Sequence, residues 1–139
     1  MAGHLSGKNI AVTGAGNGIG RAVAILCAEE GANVVVADYG VELDGSAPSS
    51  AVADEVVNQI KELGGNAIAV AGDVSESEVG QRIVETAIEA WGRIDGVACA
   101  AGILRERMLF NMTDEEFDDV VRVHLRGHFN VYRAASAVM

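Results

Sequence analysis

Between Ile10 and Arg21 the chain reads Ile-Ala-Val-Thr-Gly-Ala-Gly-Asn-Gly-Ile-Gly-Arg. The apolar run ends at Thr13 and has the character of a buried strand. Glycines follow at Gly14, Gly18 and Gly20, and an amphipathic segment opens with Ile19, Val23, Ile25 and Leu26. This is a strand, a glycine turn and a helix in immediate succession. The helix N-terminus offers free N–H groups and a partial positive charge to an anion. Glycines at the turn let the backbone approach that anion and let the helix pack against the strand. The spacing is Gly14-x-x-x-Gly18-x-Gly20. It differs from the tighter G-x-G-x-x-G, whose last glycine would fall where Ile19 stands.

A second feature narrows the ligand. Asn33-Val-Val-Val-Ala-Asp38 reads as a strand that ends in a carboxylate 18 residues beyond Gly20. A carboxylate at the tip of the second strand binds both ribose hydroxyls of an adenosine. Together these elements predict a dinucleotide site formed by Gly14, Asn17, Gly18, Ile19, Gly20 and Asp38. Because the Asp38 carboxylate repels a 2′-phosphate, the expected cofactor is NAD rather than NADP.

The remaining chain alternates strands and helices. A helix is expected over 51–63, with Val52, Val56, Ile60 and Leu63 on one face, ended by Gly64-Gly65. Ala67-Ile-Ala-Val-Ala71 is a third strand, followed by Gly72-Asp73-Val74. Ser75-Glu-Ser-Glu78 reads as a capping box, and the helix after it carries Val79, Ile83, Ala87 and Ile88 inward to Trp91-Gly92. Ile94-Asp-Gly-Val-Ala-Cys99 is a fourth strand. A loop then leads to a second capping box, Thr113-Asp-Glu-Glu116. The last helix runs from there towards Met139 with an expected apolar stripe of Val120, Val121, Leu125, Phe129 and Tyr132. The alternation predicts an α/β fold, a doubly wound parallel sheet in the order 3-2-1-4 with helices on both faces. Residues 39–50 hold the only proline and several glycines and serines, so they form a loop. That loop either covers the adenosine pocket or is a surface insertion.

Composition excludes several alternatives. Half the residues are apolar, which rules out a disordered chain. A net charge of −10 argues against a nucleic-acid or anionic-membrane surface. Cys27 and Cys99 have neither disulfide-framework nor metal-ligand spacing and read as reduced, buried thiols of a cytoplasmic protein. His124 and His128 are four residues apart on one helix face, but no third ligand accompanies them, so no metal site is expected.

These motifs resemble the short-chain dehydrogenases/reductases, a family with a Rossmann-type fold. The opening Thr13-Gly-Ala-Gly-Asn-Gly-Ile-Gly20 looks like that family's Thr-Gly-x-x-x-Gly-x-Gly. By this resemblance Asp73, of the Asp73-Val74 pair, contacts the adenine amino group; the alternative is a helix-capping acid. The family's NADP users often carry a basic residue at the position of Asn17, which again favours NAD. Ala98-Cys-Ala-Ala-Gly-Ile103 stands where the family usually has Asn-Asn-Ala-Gly. Ala101 and Gly102 match, whereas Cys99 and Ala100 replace two asparagines, which implies looser cofactor positioning. Cys99 is then either a reactive thiol near the cofactor or a buried strand-end cysteine. The segments around Arg105-Glu-Arg-Met-Leu-Phe-Asn-Met112 and Val123-His-Leu-Arg-Gly-His-Phe129 are similar to hydroxyacyl-type members. His124 occupies the family's catalytic helix-asparagine position. It either supports a proton-relay water or is a structural histidine.

The family's catalytic Tyr-x-x-x-Lys has no counterpart, since Tyr39 and Tyr132 are followed four residues on by Leu43 and Ser136. The resemblance therefore implies one incomplete domain over 1–139, the cofactor-binding half of an alcohol/ketone oxidoreductase, inactive alone. The alternatives are a non-catalytic dinucleotide-binding module and a methyltransferase of related topology. An uncovered fourth strand, 94–99, predicts a homo-oligomer or aggregation through that edge.

Overall fold

A computed structural model describes residues 3–41 and 49–139; the part of the expected loop at 42–48 lies outside the described residues. Four strands, β1 (Asn9–Thr13), β2 (Asn33–Asp38), β3 (Asn66–Ala71) and β4 (Gly96–Cys99), form one parallel sheet in the order β3-β2-β1-β4. This is the expected order. Helices α1 (Gly18–Glu29), α2 (Ala51–Glu62) and α3 (Ser77–Trp91) connect the strands. Alternation along β2 sorts the core. Val34 and Val36 pack with Ala24, Val56 and Ile60 from α1 and α2. Val35 and Ala37 point the other way, into a cluster with Ile83, Val84 and Ala87 of α3. A strand buried on both faces has no polar side to show, which accounts for the unbroken Val-Val-Val-Ala run.

The helix faces differ in part from expectation. In α1 the buried residues are Gly20 and Ala24, whereas Ile19 and Leu26 are exposed. A Cβ on Gly20 would lie 2.0 Å from the Gly14 carbonyl oxygen, so the helix sits too close to the turn for a large residue on that face. In α2, Val56 and Ile60 are buried as expected, joined by Ala53 and Val57, while Leu63 is exposed. The α3 face carries Val79, Ile83 and Ala87 inward, as read. Its proposed capping box does not form. The helix starts at Ser77 with Glu76 as an uncapped N-cap, so Ser75 lies one residue outside the cap, where its hydroxyl accepts from Arg122.

The last helix departs furthest. Its Thr113–Glu116 capping box is present, with Glu116 N–H donating to Thr113 Oγ1 at 3.1 Å and Thr113 N–H donating to Glu116 Oε2 at 3.0 Å. It opens α4 (Asp114–Val121), which continues through a π-helical turn (Arg122–Arg126) into α5 (Gly127–Ser136). The wider turn shifts the phase of everything after it. Leu125, Phe129 and Tyr132 of the expected stripe are exposed, while Val123, Gly127, Asn130, Val131 and Ala135 are buried. Small residues set this face. A Cβ on Gly80 would come within 2.9 Å of the Asn130 backbone, and one on Gly127 within 2.7 Å of Val74 Cγ2. The buried Asn130 amide donates to the Val74 carbonyl at 2.9 Å.

At the N-terminal end of the sheet, three asparagines stand in register, Asn9 beside Asn33 beside Asn66. Asn66 Nδ2 donates to Asn33 Oδ1 (3.2 Å), Asn33 Nδ2 to Asn9 Oδ1 (2.8 Å), and Asn9 Nδ2 to the Arg93 carbonyl (3.0 Å). This ladder opposes a one-residue slip, which would turn every side chain to the wrong face. Asn33→Ala strands the oxygen of Asn9, a residue only 3% exposed, and is expected to cost about 1–3 kcal/mol. Asn66→Ala, at the exposed end, is expected to cost about 0.5 kcal/mol or less. Urea denaturation of both variants is the check, and equal losses would refute the ladder's role.

Candidate cofactor site

The C-terminal ends of the strands open on a cleft of about 570 Å³. Its floor is the glycine turn. Gly14 has a φ of +64°, and a Cβ there would lie 2.6 Å from the Ala101 nitrogen. Gly18 also has a positive φ, +55°, with open space where its Cβ would be. The two glycines thus serve different ends: Gly14 admits the β4 loop, and Gly18 leaves room at the mouth. Asn17 is the N-cap of α1 and its side chain makes no capping bond. The first N–H groups of α1 have no intrahelical partner and lie at this wall of the cleft. The exposed Ile19 side chain lines the mouth.

Asp38 ends β2 at the adjacent wall. Its Oδ2 accepts the Gly16 N–H at 2.8 Å and its Oδ1 accepts the Gly40 N–H at 2.5 Å. Two backbone donors orient the carboxylate, and each oxygen keeps acceptor capacity for a ligand. A Cβ on Gly16 would lie 2.9 Å from Asp38 Oδ2 and 2.1 Å from Val52 Cγ1. Gly16 is therefore a site residue that the spacing argument passed over. The signal was present as a fourth glycine in the turn, but its need arises from Asp38 and Val52, which are distant in sequence.

The end of β3 brings Asp73 to the same cleft. Its Oδ1 accepts the Ser75 N–H at 2.9 Å and its Oδ2 accepts from Arg122 Nη1 at 2.8 Å. Partial burial by itself would raise the Asp73 carboxyl. The hydrogen bonds from Ser75 and Arg122, with the Arg122 charge, outweigh it and hold the group below the usual carboxylate range. Arg122 and Arg105 both line the cleft, and each reaches Asp119, at 3.8 and 3.1 Å. Sequence reasoning missed Arg122 because its partners lie nearly fifty residues away. Val74 lines the cleft too, but it is 6% exposed and belongs mainly to the core.

The β4 loop is better held than its missing asparagines imply. The Ala100 N–H donates to the Thr13 carbonyl at 3.1 Å, and the Ala101 N–H to Thr13 Oγ1 at 3.3 Å. Gly102 packs under His124, whose Cε1 would lie 2.4 Å from an added Cβ. His124 Nε2 lies 3.2 Å from the Ile103 nitrogen and 3.0 Å from the Ile103 oxygen, so in one tautomer it accepts from the Ile103 N–H and in the other it donates to the Ile103 carbonyl. His128 Nδ1 donates to the His124 carbonyl at 2.5 Å. Among the described residues no group of three or more His, Cys, Asp or Glu side chains is placed to hold a metal. Burial pushes the Cys99 thiol up, and hydrogen bonds with Tyr132 and Thr13 offset only part of that shift. The thiol therefore stays protonated at neutral pH, which speaks against the reactive-thiol reading, although both Cys99 and Cys27 are half-buried rather than buried as expected.

The site fits a dinucleotide on its own geometry. A glycine floor allows close approach, a helix N-terminus has an unused cap, and two oriented carboxylates stand at the tips of neighbouring strands.

A family model described as short chain dehydrogenase matches residues 8–139. The chain is 47% identical over 132 residues to peroxisomal multifunctional enzyme type 2 of Mus musculus, covering 95% of this chain and 18% of that protein. It is 47% identical over 133 residues to hydroxyacyl-CoA dehydrogenase ChsB1 of Mycobacterium tuberculosis, covering 96% of this chain and 40% of that protein. A crystal structure of a short chain dehydrogenase from Mycobacterium avium superimposes with a TM-score of 0.89 at 46% identity, covering 98% of this chain and 49% of that one. The chain thus spans less than half the length of these relatives. With the family match, the strand order and the glycine turn all in accord, the chain belongs to the short chain dehydrogenase family.

Proposed function

We propose that this chain is the NAD-binding half of a short-chain oxidoreductase that interconverts an alcohol and a ketone. The name of the Mycobacterium tuberculosis relative supports hydroxyacyl-type substrates. One observation carries the cofactor reading: the Asp38 carboxylate, aimed by the Gly16 and Gly40 N–H groups at the cleft wall. An acceptor-only group there suits two free ribose hydroxyls and repels a 2′-phosphate. Uncharged Asn17 adds no cation for such a phosphate. The first turn of α1 would hold the pyrophosphate, Asp73 the adenine amino group, and the Ala101–Gly102 backbone the nicotinamide side, all of them lining the cleft. When bound, the nicotinamide ring supplies the hydride chemistry.

His124 acts here as a positioning residue, since its Nε2 is engaged with the Ile103 backbone. This supports the structural reading over the proton relay. Proton transfer at the substrate oxygen requires a residue that these 139 do not contain, as no Tyr-x-x-x-Lys is present. Hydride and proton steps need a common geometry, so this polypeptide by itself is read as inactive. Self-association is part of the proposal. It is supported by the uncovered edge of β4 and by the exposed Phe117, Leu125, Phe129 and Tyr132.

Calorimetric titration tests the cofactor reading. NAD is expected to bind more tightly than NADP, and Asp38→Ala to weaken NAD about tenfold, the scale of one or two charge-assisted hydrogen bonds. Unchanged NAD affinity in that variant would overturn it. No turnover of alcohols or ketones is expected in a sensitive NADH-coupled assay; turnover abolished by Asp38→Ala would refute the claim of inactivity. In sedimentation at micromolar concentration the chain is expected to run as a dimer or larger, and a monodisperse monomer would count against self-association.

A further inference from the structure

We infer that Arg122 sets the selectivity of this site for the adenine amino group, by pinning the Asp73 carboxylate as a charged, acceptor-only contact. The inference rests on the dinucleotide reading above and extends it to a residue that no motif marked.

The geometry is specific. Arg122 opens the π-helical turn, and its Nη1 donates both to Asp73 Oδ2, at 2.8 Å, and to Ser75 Oγ. Both Nη1 hydrogens are thereby committed. The guanidinium also has Asp119 at 3.8 Å from Nη2, one turn back on the same helix. Asp73 Oδ1 is held separately by the Ser75 N–H. The carboxylate is fixed at both oxygens, yet it uses only two of its roughly four lone-pair positions. What remains faces the cleft and accepts hydrogen bonds without being able to donate them. An exocyclic amino group matches it. A carbonyl oxygen at the same position of the base meets two lone pairs and a negative charge.

The direct partners, Ser75 and Arg122, favour the ionised form against the burial that opposes it. Around Asp73 lie Arg122 and Asp119 of the last helix, and Glu76 at the start of α3. Arg82 of α3 donates from Nη2 to the Ala71 carbonyl at 2.5 Å, and Asp38 stands at the end of the neighbouring strand. Arg122 is the cation bonded to the carboxylate itself. Without it the carboxylate gains freedom to rotate and takes up a proton at a higher pH. A protonated carboxyl donates one hydrogen bond and tolerates a carbonyl.

The test compares NAD with nicotinamide hypoxanthine dinucleotide, in which a carbonyl replaces the adenine amino group. Calorimetric titrations use the purified chain and the variants R122Q and R122K, with circular dichroism to establish that each is folded. The wild-type chain is expected to prefer NAD about tenfold at pH 7, as for a charge-assisted hydrogen bond. In R122Q the carboxylate is still ionised at pH 7 but is no longer held at Oδ2, and through this loss of orientation the preference is expected to fall to about twofold. It should also be lost at a higher pH than in the wild type, because the Asp73 carboxyl then protonates sooner as pH falls. R122K keeps the charge and is expected to restore part of the preference and of the pH profile. A purely structural Arg122 would weaken both dinucleotides alike and leave their ratio and its pH dependence unchanged, and that result overturns the inference. Failure of the wild-type chain to bind NAD at all overturns the underlying cofactor reading and this inference with it.

Discussion

The close approach of backbone at the glycine turn is the contact on which the rest of the structure depends. Gly20 lies over the Gly14 carbonyl, and Gly14 lies against the Ala100–Ala101 backbone, so β1, α1 and the β4 loop meet where no Cβ fits. Any side chain at Gly14 or Gly20 would push the helix off the strand or the loop off the turn. That displacement would widen the cleft floor and move the α1 N-terminus away from a bound anion. The turn is therefore a packing junction and the floor of the cleft at once. Its third function is to present the Gly16 N–H to Asp38, which aligns the carboxylate of β2.

The two ends of the sheet are tied differently. At the N-terminal end, the asparagine ladder and the Asn9 N–H, which donates to Asp95 Oδ2 at 2.9 Å, fix register with groups that meet no ligand. At the C-terminal end, the polar groups aim one another. Thr13 holds the β4 loop, Gly16 and Gly40 hold Asp38, Ser75 and Arg122 hold Asp73, and His124 holds Ile103. One end spends its hydrogen bonds on register, and the other spends them on orientation while keeping acceptor sites open. A parallel sheet permits this division because all strands end on the same side.

The last helix joins both tasks. Its π-helical turn places Arg122 toward Asp73 and His124 toward Ile103, and turns Val123 and Gly127 to the core. A regular helix with the same residues would present the heptad-like stripe read from the sequence. The wider turn instead leaves Leu125, Phe129 and Tyr132 outside.

How much was legible in the sequence follows from the range of each interaction. Strand order, the glycine turn, Asp38 at the tip of β2 and the Thr113–Glu116 cap were readable, because each depends on residues adjacent in the chain or on a rigid period. The sequence by itself determined a parallel sheet with a nucleotide-type cleft at its C-terminal end. Only the tertiary structure decided that Ser75 serves Arg122 rather than a helix cap, that Gly16 is needed against Asp38 and Val52, and that Thr13 holds the β4 loop at Ala100 and Ala101. Only it decided which faces of α1 and the last helix are buried. Those choices depend on how closely two backbones approach and on polar partners 20 to nearly 90 residues apart, and no local pattern encodes either.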